Sequence, residues 1–350
     1  MKQERRDLVV VGGGPVGLYT AIVGALCGMA VTVVESRCDP IDKACGEGLM
    51  ASAVARLASV DVHPLGRDFV GITYLEAAGP ARADARFRRG PGRGVHRAVL
   101  HQTLTLRAKE LDVERVRARV VNVSQDRVSA TAQLADGGEI SGGYLVGADG
   151  LHSTVRREIG LDPKPSRHTR YGLRQHFLTT PWARTVEVHW AADSEAYVTP
   201  ISEEVVGVAI LGRREGAGFD DRMTKFPALR ERLNGAEPVG TVLGAGPLRQ
   251  AVKNRVRRRV MLVGDAAGYV DALTGEGLAV GFASANALVS AVEAGQVDGY
   301  ERAWRRVTRD YRWLTQSLIT ATRQPTVRRR LVPSAARLPT TFTALVNRLG

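Results

Sequence analysis

Three short glycine- and aspartate-bearing stretches have the residue types to cradle a phosphate-bearing ligand. They are GGGPVG (Gly12 to Gly17), GADGLHSTVR (Gly147 to Arg156) and GDAAG (Gly264 to Gly268). In the first, Gly12 permits a tight turn, Gly14 lets backbone approach a pyrophosphate, and Gly17 lets a helix pack closely on a strand. Leu8 to Val11 before it reads as a buried strand, and Leu18 to Cys27 after it as an apolar helix. The N-terminus of that helix offers free N–H groups and a partial positive charge to phosphates. Val31 to Val34 then forms a second strand ending in Glu35, 18 residues past Gly17, where an acid binding ribose hydroxyls is expected. The acid disfavours a 2′-phosphate, so the adenosine of FAD or NAD fits better than that of NADP.

Similar elements must position the other two stretches. Tyr144 to Val146 leads into Asp149, and Val260 to Val263 leads into Asp265. Both read as strand ends carrying an aspartate, where parallel sheets place their ligand sites. After Gly268, the run YVDALTGEG (Tyr269 to Gly277) approaches an apolar helix over Leu278 to Val292. The backbone dipoles at that helix start suit the electron-rich N1/O2 edge of a reduced flavin.

In this order the three stretches resemble the glutathione-reductase-type FAD fold shared by aromatic hydroxylases (class A flavin monooxygenases) and geranylgeranyl reductases, from residue 5 to residue 290. GADGLHSTVR is similar to the hydroxylases' second motif, and GDAAG…TGEG is closer to the geranylgeranyl reductases. The resemblance implies that Gly12, Gly14, Pro15, Val16, Gly17, Glu35, Ser36 and Arg37 hold the adenosine end of noncovalent FAD. It places Asp149, Gly150, Gly264 and Asp265 along the middle of the cofactor, and Gly275, Gly277 and Leu278 by the isoalloxazine. Arg97, in GVHRAVLHQTL, matches the family's arginine near the phosphates. KACGEG (Lys43 to Gly48) resembles the cysteine-glycine element of prenyl reductases, which puts Cys45 and Gly46 beside the flavin.

The fold class expected is α/β: a Rossmann-like FAD-binding domain with an inserted antiparallel substrate sheet and C-terminal helices. The FAD-binding part spans 1–160 and 246–298, the substrate sheet 161–245 with a small piece near 60–95, and the helical end 299–350. The middle region opens at Pro163, Lys164 and Pro165, and strands are expected over Thr185 to Trp190, Ala196 to Pro200 and Val205 to Leu211. His176 and His189 lie among them and read as satisfied histidines. GAGP (Gly244 to Pro247) reads as a loop with no strand before it, so no second dinucleotide unit is expected and NAD(P)H would bind transiently. Only Tyr197 and Pro200 match the prenyl reductases' tyrosine-to-proline element, Ala272 stands where both groups carry proline, and the halogenases' paired-tryptophan element is missing. Trp304, Val307, Tyr311, Leu314 and Leu318 recur at helical spacing. The basic, proline-interrupted end (Val327 to Pro333) leads to Phe342, Leu345, Val346 and Leu349 on one helical face, which docks on the substrate domain or skims lipid.

Composition excludes several classes. No apolar run is long enough to span a bilayer, and the charged start followed by a glycine turn is not a signal peptide, which implies a cytoplasmic protein, peripheral to a membrane at most. Three cysteines without ligand spacing imply neither a disulfide framework nor a metal site. The net charge of +13 comes from scattered arginines with 5% aromatics, which does not describe a nucleic-acid binder. The resemblance implies first an NAD(P)H-reduced monooxygenase, in which O2 adds at the flavin C4a and the hydroperoxide hydroxylates a phenolic or lipid-like hydrophobic substrate. The alternative is a reductase that saturates isoprenoid C=C bonds. Cys45 and Tyr197 are the catalytic candidates in either case.

Overall fold

The computed structural model describes residues 6–163, 169–214, 216 and 218–349. The charged start before Arg6, Lys164 and Pro165, and the side chain of Leu349 lie outside the described residues.

The valine-rich runs pair as parallel strands. Arg6–Val11 lies between Val31–Glu35 and Glu139–Gly147, with Glu114–Arg117 outside the first and Val260–Leu262 outside the second. Leu8, Val9, Val10, Leu145, Val146 and Val260 to Leu262 are wholly buried, as a sheet covered on both faces requires. The expected strand at Tyr144 to Val146 is the end of a longer one. Gly142 and Gly143 obscure its beginning in the sequence, and a Cβ at Gly142 would lie 2.9 Å from Val9 Cγ2. Helices Pro15–Leu26 and Gly277–Glu293 pack on each other beside this sheet. The carboxyl ends of three strands converge: Ala148 N donates to Val11 O and Val263 N to Gly147 O. The three glycine stretches therefore meet along one edge.

A second sheet holds seven strands in the order Glu237–Ala245, Tyr171–Leu178, Val205–Gly212, Glu195–Pro200, Val186–Trp190, Gly71–Glu76, Arg82–Arg86. Every pairing is antiparallel except Val186–Trp190 with Gly71–Glu76, which joins two strands from distant parts of the chain in parallel. Contrary to the loop reading of GAGP, a strand does precede it: Glu237–Ala245 carries Gly244 and Ala245. Its position at an exposed sheet edge removed the buried alternation that would have marked it. No helix follows it directly.

Three helices close the chain: Gly299–Thr322, Pro325–Arg337 and Pro339–Leu349. On the first, Trp304 and Tyr311 are buried as expected, but Val307 is exposed and Thr308 takes its place in the core. The Thr308 hydroxyl donates to Trp304 O, which satisfies it without water. Pro333 lies inside the second helix instead of ending it. On the last, Phe342 and Val346 pack against Ala83 and Ala85 of the second sheet, while Leu345 faces outward. Among the described residues no helix is long and apolar enough to cross a membrane.

Candidate functional site

The edge where the glycine stretches meet opens into a cavity of about 570 Å³ that continues to the face of the second sheet. That volume falls in the range of cofactor and ligand sites. Every cofactor-site residue named from the sequence lines it except Gly17, and Cys45 and Tyr197 line it too.

The glycines divide by role. A Cβ on Gly17 would meet Gly12 O at 1.9 Å, so Gly17 serves the packing of helix Pro15–Leu26 against the turn. Gly12 adopts φ +107°, which a side chain rarely tolerates. At Gly14, Gly46 and Gly275 a Cβ would meet nothing within 4 Å, and all three border the cavity. This bare backbone is the cradle that a long phosphate-bearing cofactor needs. The helix begins at Pro15 with no side-chain cap on its free N–H groups. Arg97 also borders the cavity and has a buried Nε without a partner, a donor placed for an anion. FAD fits these residues.

Glu35 is more occupied than its sequence role suggests. Its carboxylate accepts from Gly13 N (2.8 Å), Arg37 N (2.9 Å), and Arg37 Nε and Nη2 (3.0 Å each). Burial alone would raise its pKa, but the Arg37 hydrogen bonds and charge, with Gly13 N–H, hold it at about 2. A ribose must therefore draw lone pairs away from Arg37, whose side chain is half exposed. Asp149 is likewise committed. It accepts from Ser153 Oγ and Val155 N at the start of helix Thr154–Glu158, although burial raises its pKa. Asp265 borders the cavity and is ion-paired with Lys43, whose Nζ is 4.0 Å away.

The stretch Cys45–Gly46–Glu47 crosses the cavity wall. Cys45 Sγ accepts from Glu47 N (3.4 Å), and Arg97 Nη1 approaches it at 3.9 Å. Glu47 has φ +58°, unusual for a residue with a side chain, and its buried carboxylate accepts from Arg97 N (2.8 Å) and contacts His176 Nε2. Arg174 Nη1 donates to His176 Nδ1 at 3.0 Å, and His96, stacked on His176 at 4.6 Å, accepts at Nδ1 from Ala98 N. Both imidazoles thus accept at Nδ1 and carry a proton at Nε2; Glu47 and His176 are hydrogen-bonded, His96 joins them by stacking, and two protonated Nε2 atoms do not suit a metal. The sequence stretch containing Glu47 was legible, but its partners were not. His189 is engaged by Glu187 (3.2 Å).

Apolar side chains of the second sheet and neighbouring segments form the far wall: Met50, Phe69, Ile72, Val188, Leu211 and Leu248, with Val346 from the last helix. Tyr197 is there as well, but its hydroxyl donates to Leu273 O at 2.6 Å. This ties the sheet to the loop before helix Gly277–Glu293 and gives Tyr197 a positioning role. Tyr197→Phe should cost about 1 kcal/mol, a fall of about 2 °C in Tm, together with weaker turnover.

Within the same loop Glu276 is almost wholly buried, with Oε1 unpartnered, and burial raises its pKa to about 8. A carboxyl raised this way holds its proton in the folded state while the unfolded chain releases it. Stability therefore falls as pH rises from 4.5 to about 8 and is level above. Glu276→Gln should flatten that slope, with a few kcal/mol at most regained at high pH, read by urea melts at pH 5 and pH 9.

The comparisons agree with this geometry. Residues 5–296 match the family model for an FAD binding domain. A menaquinone reductase of Mycolicibacterium smegmatis is 29% identical over 344 residues, covering 88% of this chain and 81% of the relative. A digeranylgeranylglycerophospholipid reductase of Methanococcus vannielii is 24% identical, over 79% and 74%. A rifampicin monooxygenase of Streptomyces venezuelae is 29% identical, over 84% and 65%. The solved flavoprotein/dehydrogenase of Cytophaga hutchinsonii superposes with a TM-score of 0.80 at 18% identity, over 97% of this chain and 96% of that one, which shows the shared fold. The chain belongs to the FAD-binding family typified by this domain and is an FAD-dependent oxidoreductase.

Proposed function

We propose that the protein reduces a C=C bond of a hydrophobic, isoprenoid-bearing lipid, with the seven-stranded sheet as its substrate domain and NAD(P)H as a transient electron donor. The observation that carries this reading is an apolar wall and a free cysteine lining the same cavity as the cofactor cradle. Bound FAD, once reduced by NAD(P)H, would supply the hydride. The chain's residues do the rest: Met50, Phe69, Ile72 and Leu248 exclude water and orient an apolar tail. Cys45 lines the cavity and is our candidate to hold the proton that completes saturation. Tyr197 positions the loop at Leu273 and does not itself transfer a proton.

A free thiol on the cavity wall also bears on the choice of reaction. A thiol beside an electrophilic oxygen species is exposed to oxidation, whereas hydride transfer leaves it intact. The relatives named for menaquinone and for a digeranylgeranyl lipid support the same choice. Hydroxylation is the second reading, favoured by the similarity to the rifampicin monooxygenase. Mass spectrometry of menaquinone incubated in air with the protein, FAD and NAD(P)H separates them. Saturation adds two hydrogens to the prenyl chain, which persist after the ring is reoxidised in air, and hydroxylation adds one oxygen atom.

A further inference from the structure

The end of the chain carries an apolar surface that the cofactor site does not use. From Tyr311 onward the sequence holds seven arginines and no aspartate, glutamate or lysine, which is more than half of the chain's net charge of +13. Arg328 is buried, and the other six are exposed. Large apolar side chains stand among them: Trp313 is 58% exposed, Leu338 57% and Leu345 46%. The Arg348 guanidinium lies over the Trp313 ring, 5.7 Å from its centroid. Leu345 precedes Arg348 by one turn on helix Pro339–Leu349, so the two share a face that Trp313 extends onto the neighbouring helix, and Leu338 stands exposed at the junction just before that helix. The adjoining face of the same helix buries Phe342 and Val346, and Val346 reaches the cavity. One short helix separates the cavity from this surface.

We propose that this surface docks the enzyme on an anionic phospholipid bilayer. Trp313, Leu338 and Leu345 would enter the boundary between headgroups and acyl chains, and the arginines would meet lipid phosphates. Tryptophan and leucine bordered by arginine match that boundary in both polarity and charge, with Asp310, 3.5 Å from Arg348, the one acid paired with the six exposed arginines among the described residues. A nucleic acid duplex would satisfy the arginines but offers nothing to cover Leu338 and Leu345. The purpose of docking rests on the lipid substrate proposed above; the binding itself does not.

The test is flotation of FAD-loaded protein, without substrate, on phosphatidylcholine vesicles with and without about 30% phosphatidylglycerol. Wild type should float with the anionic vesicles only, and less as NaCl rises from roughly 0.05 M to 0.5 M. Trp313→Ser with Leu345→Ser, and separately Arg337→Glu with Arg348→Glu, should each weaken binding by about tenfold or more, with flavin content and circular dichroism unchanged. Wild type that stays off anionic vesicles overturns the proposal, as does a Trp313/Leu345 double variant that floats like wild type. Protein that floats as described but reduces no lipid upholds this surface and overturns the reaction proposed above.

Discussion

Gly14→Val is expected to cost the protein its FAD while leaving the fold standing, whereas Gly17→Ala should cost the fold itself. The two glycines are three residues apart and both belong to the first glycine stretch, but they face opposite ways. A side chain on Gly14 enters open cavity, and its φ of −69° and ψ of 172° are acceptable to valine. The intrusion should weaken FAD binding by about 2–3 kcal/mol, roughly a hundredfold in Kd, with apoprotein stability within about 1 kcal/mol of wild type. A methyl on Gly17 would overlap Gly12 O at 1.9 Å and crowd Ala148 Cβ at 3.2 Å, both parts of the structure that cannot yield separately. Loss of about 3 kcal/mol or more is expected, read as a lower urea midpoint in the apoprotein. Equal loss of stability in both variants would contradict the division.

The second large effect concerns a buried charge cluster behind the far wall. Arg170 contacts Glu195, which is wholly buried, and lies 3.3 Å from the Asp271 carboxylate; Arg328 Nη2 is 2.7 Å from Glu195 on its other side. Burial raises the pKa of Asp271 to about 6, with Arg170 restraining the rise and Glu195 adding to it. Arg170→Met leaves Asp271 without its cation and should destabilise the protein by about 3–5 kcal/mol at pH 8. The sign with pH follows. With Arg170 gone, Asp271 loses the cation that restrained its rise and takes up a proton at a pH above 6, which removes the uncompensated charge, so the deficit should be smaller at pH 5 than at pH 8. Asp271→Asn in the Arg170→Met background should recover part of the loss at pH 8. Because Leu273, two residues on, receives the Tyr197 hydroxyl, the same variant should also loosen the loop before Gly277.

What could be read from the sequence was what is local. Leu8 to Val11, Gly12 to Gly17 and Glu35 lie within one strand–turn–helix–strand unit, where each residue's type reports its neighbours' geometry. The converging strand ends followed from the same logic, since valine-rich runs leading into Gly147 and Gly264 describe a buried parallel sheet. The Arg170–Glu195–Asp271–Arg328 cluster gave no signal. Its members come from two strands' surroundings, a loop and a late helix, and only the tertiary fold brings them together. His176 is a similar case: it was legible as a satisfied histidine, but its partner Glu47 lies 129 residues away. The strand Glu237–Ala245 was hidden for another reason. An exposed edge with two glycines needs no apolar alternation, and the sequence provides none.

The reaction is tested most directly by a single turnover under argon. Enzyme whose flavin has been fully reduced is mixed with menaquinol, whose ring has no quinone left to take electrons from the flavin, and flavin absorbance is followed while the product is collected. The account predicts that the yellow colour returns without oxygen, with one saturated double bond formed per flavin reoxidised. Flavin that stays reduced under argon with this and other polyprenyl alkenes, and recovers its colour only on admitting oxygen with hydroxylated product, would contradict it.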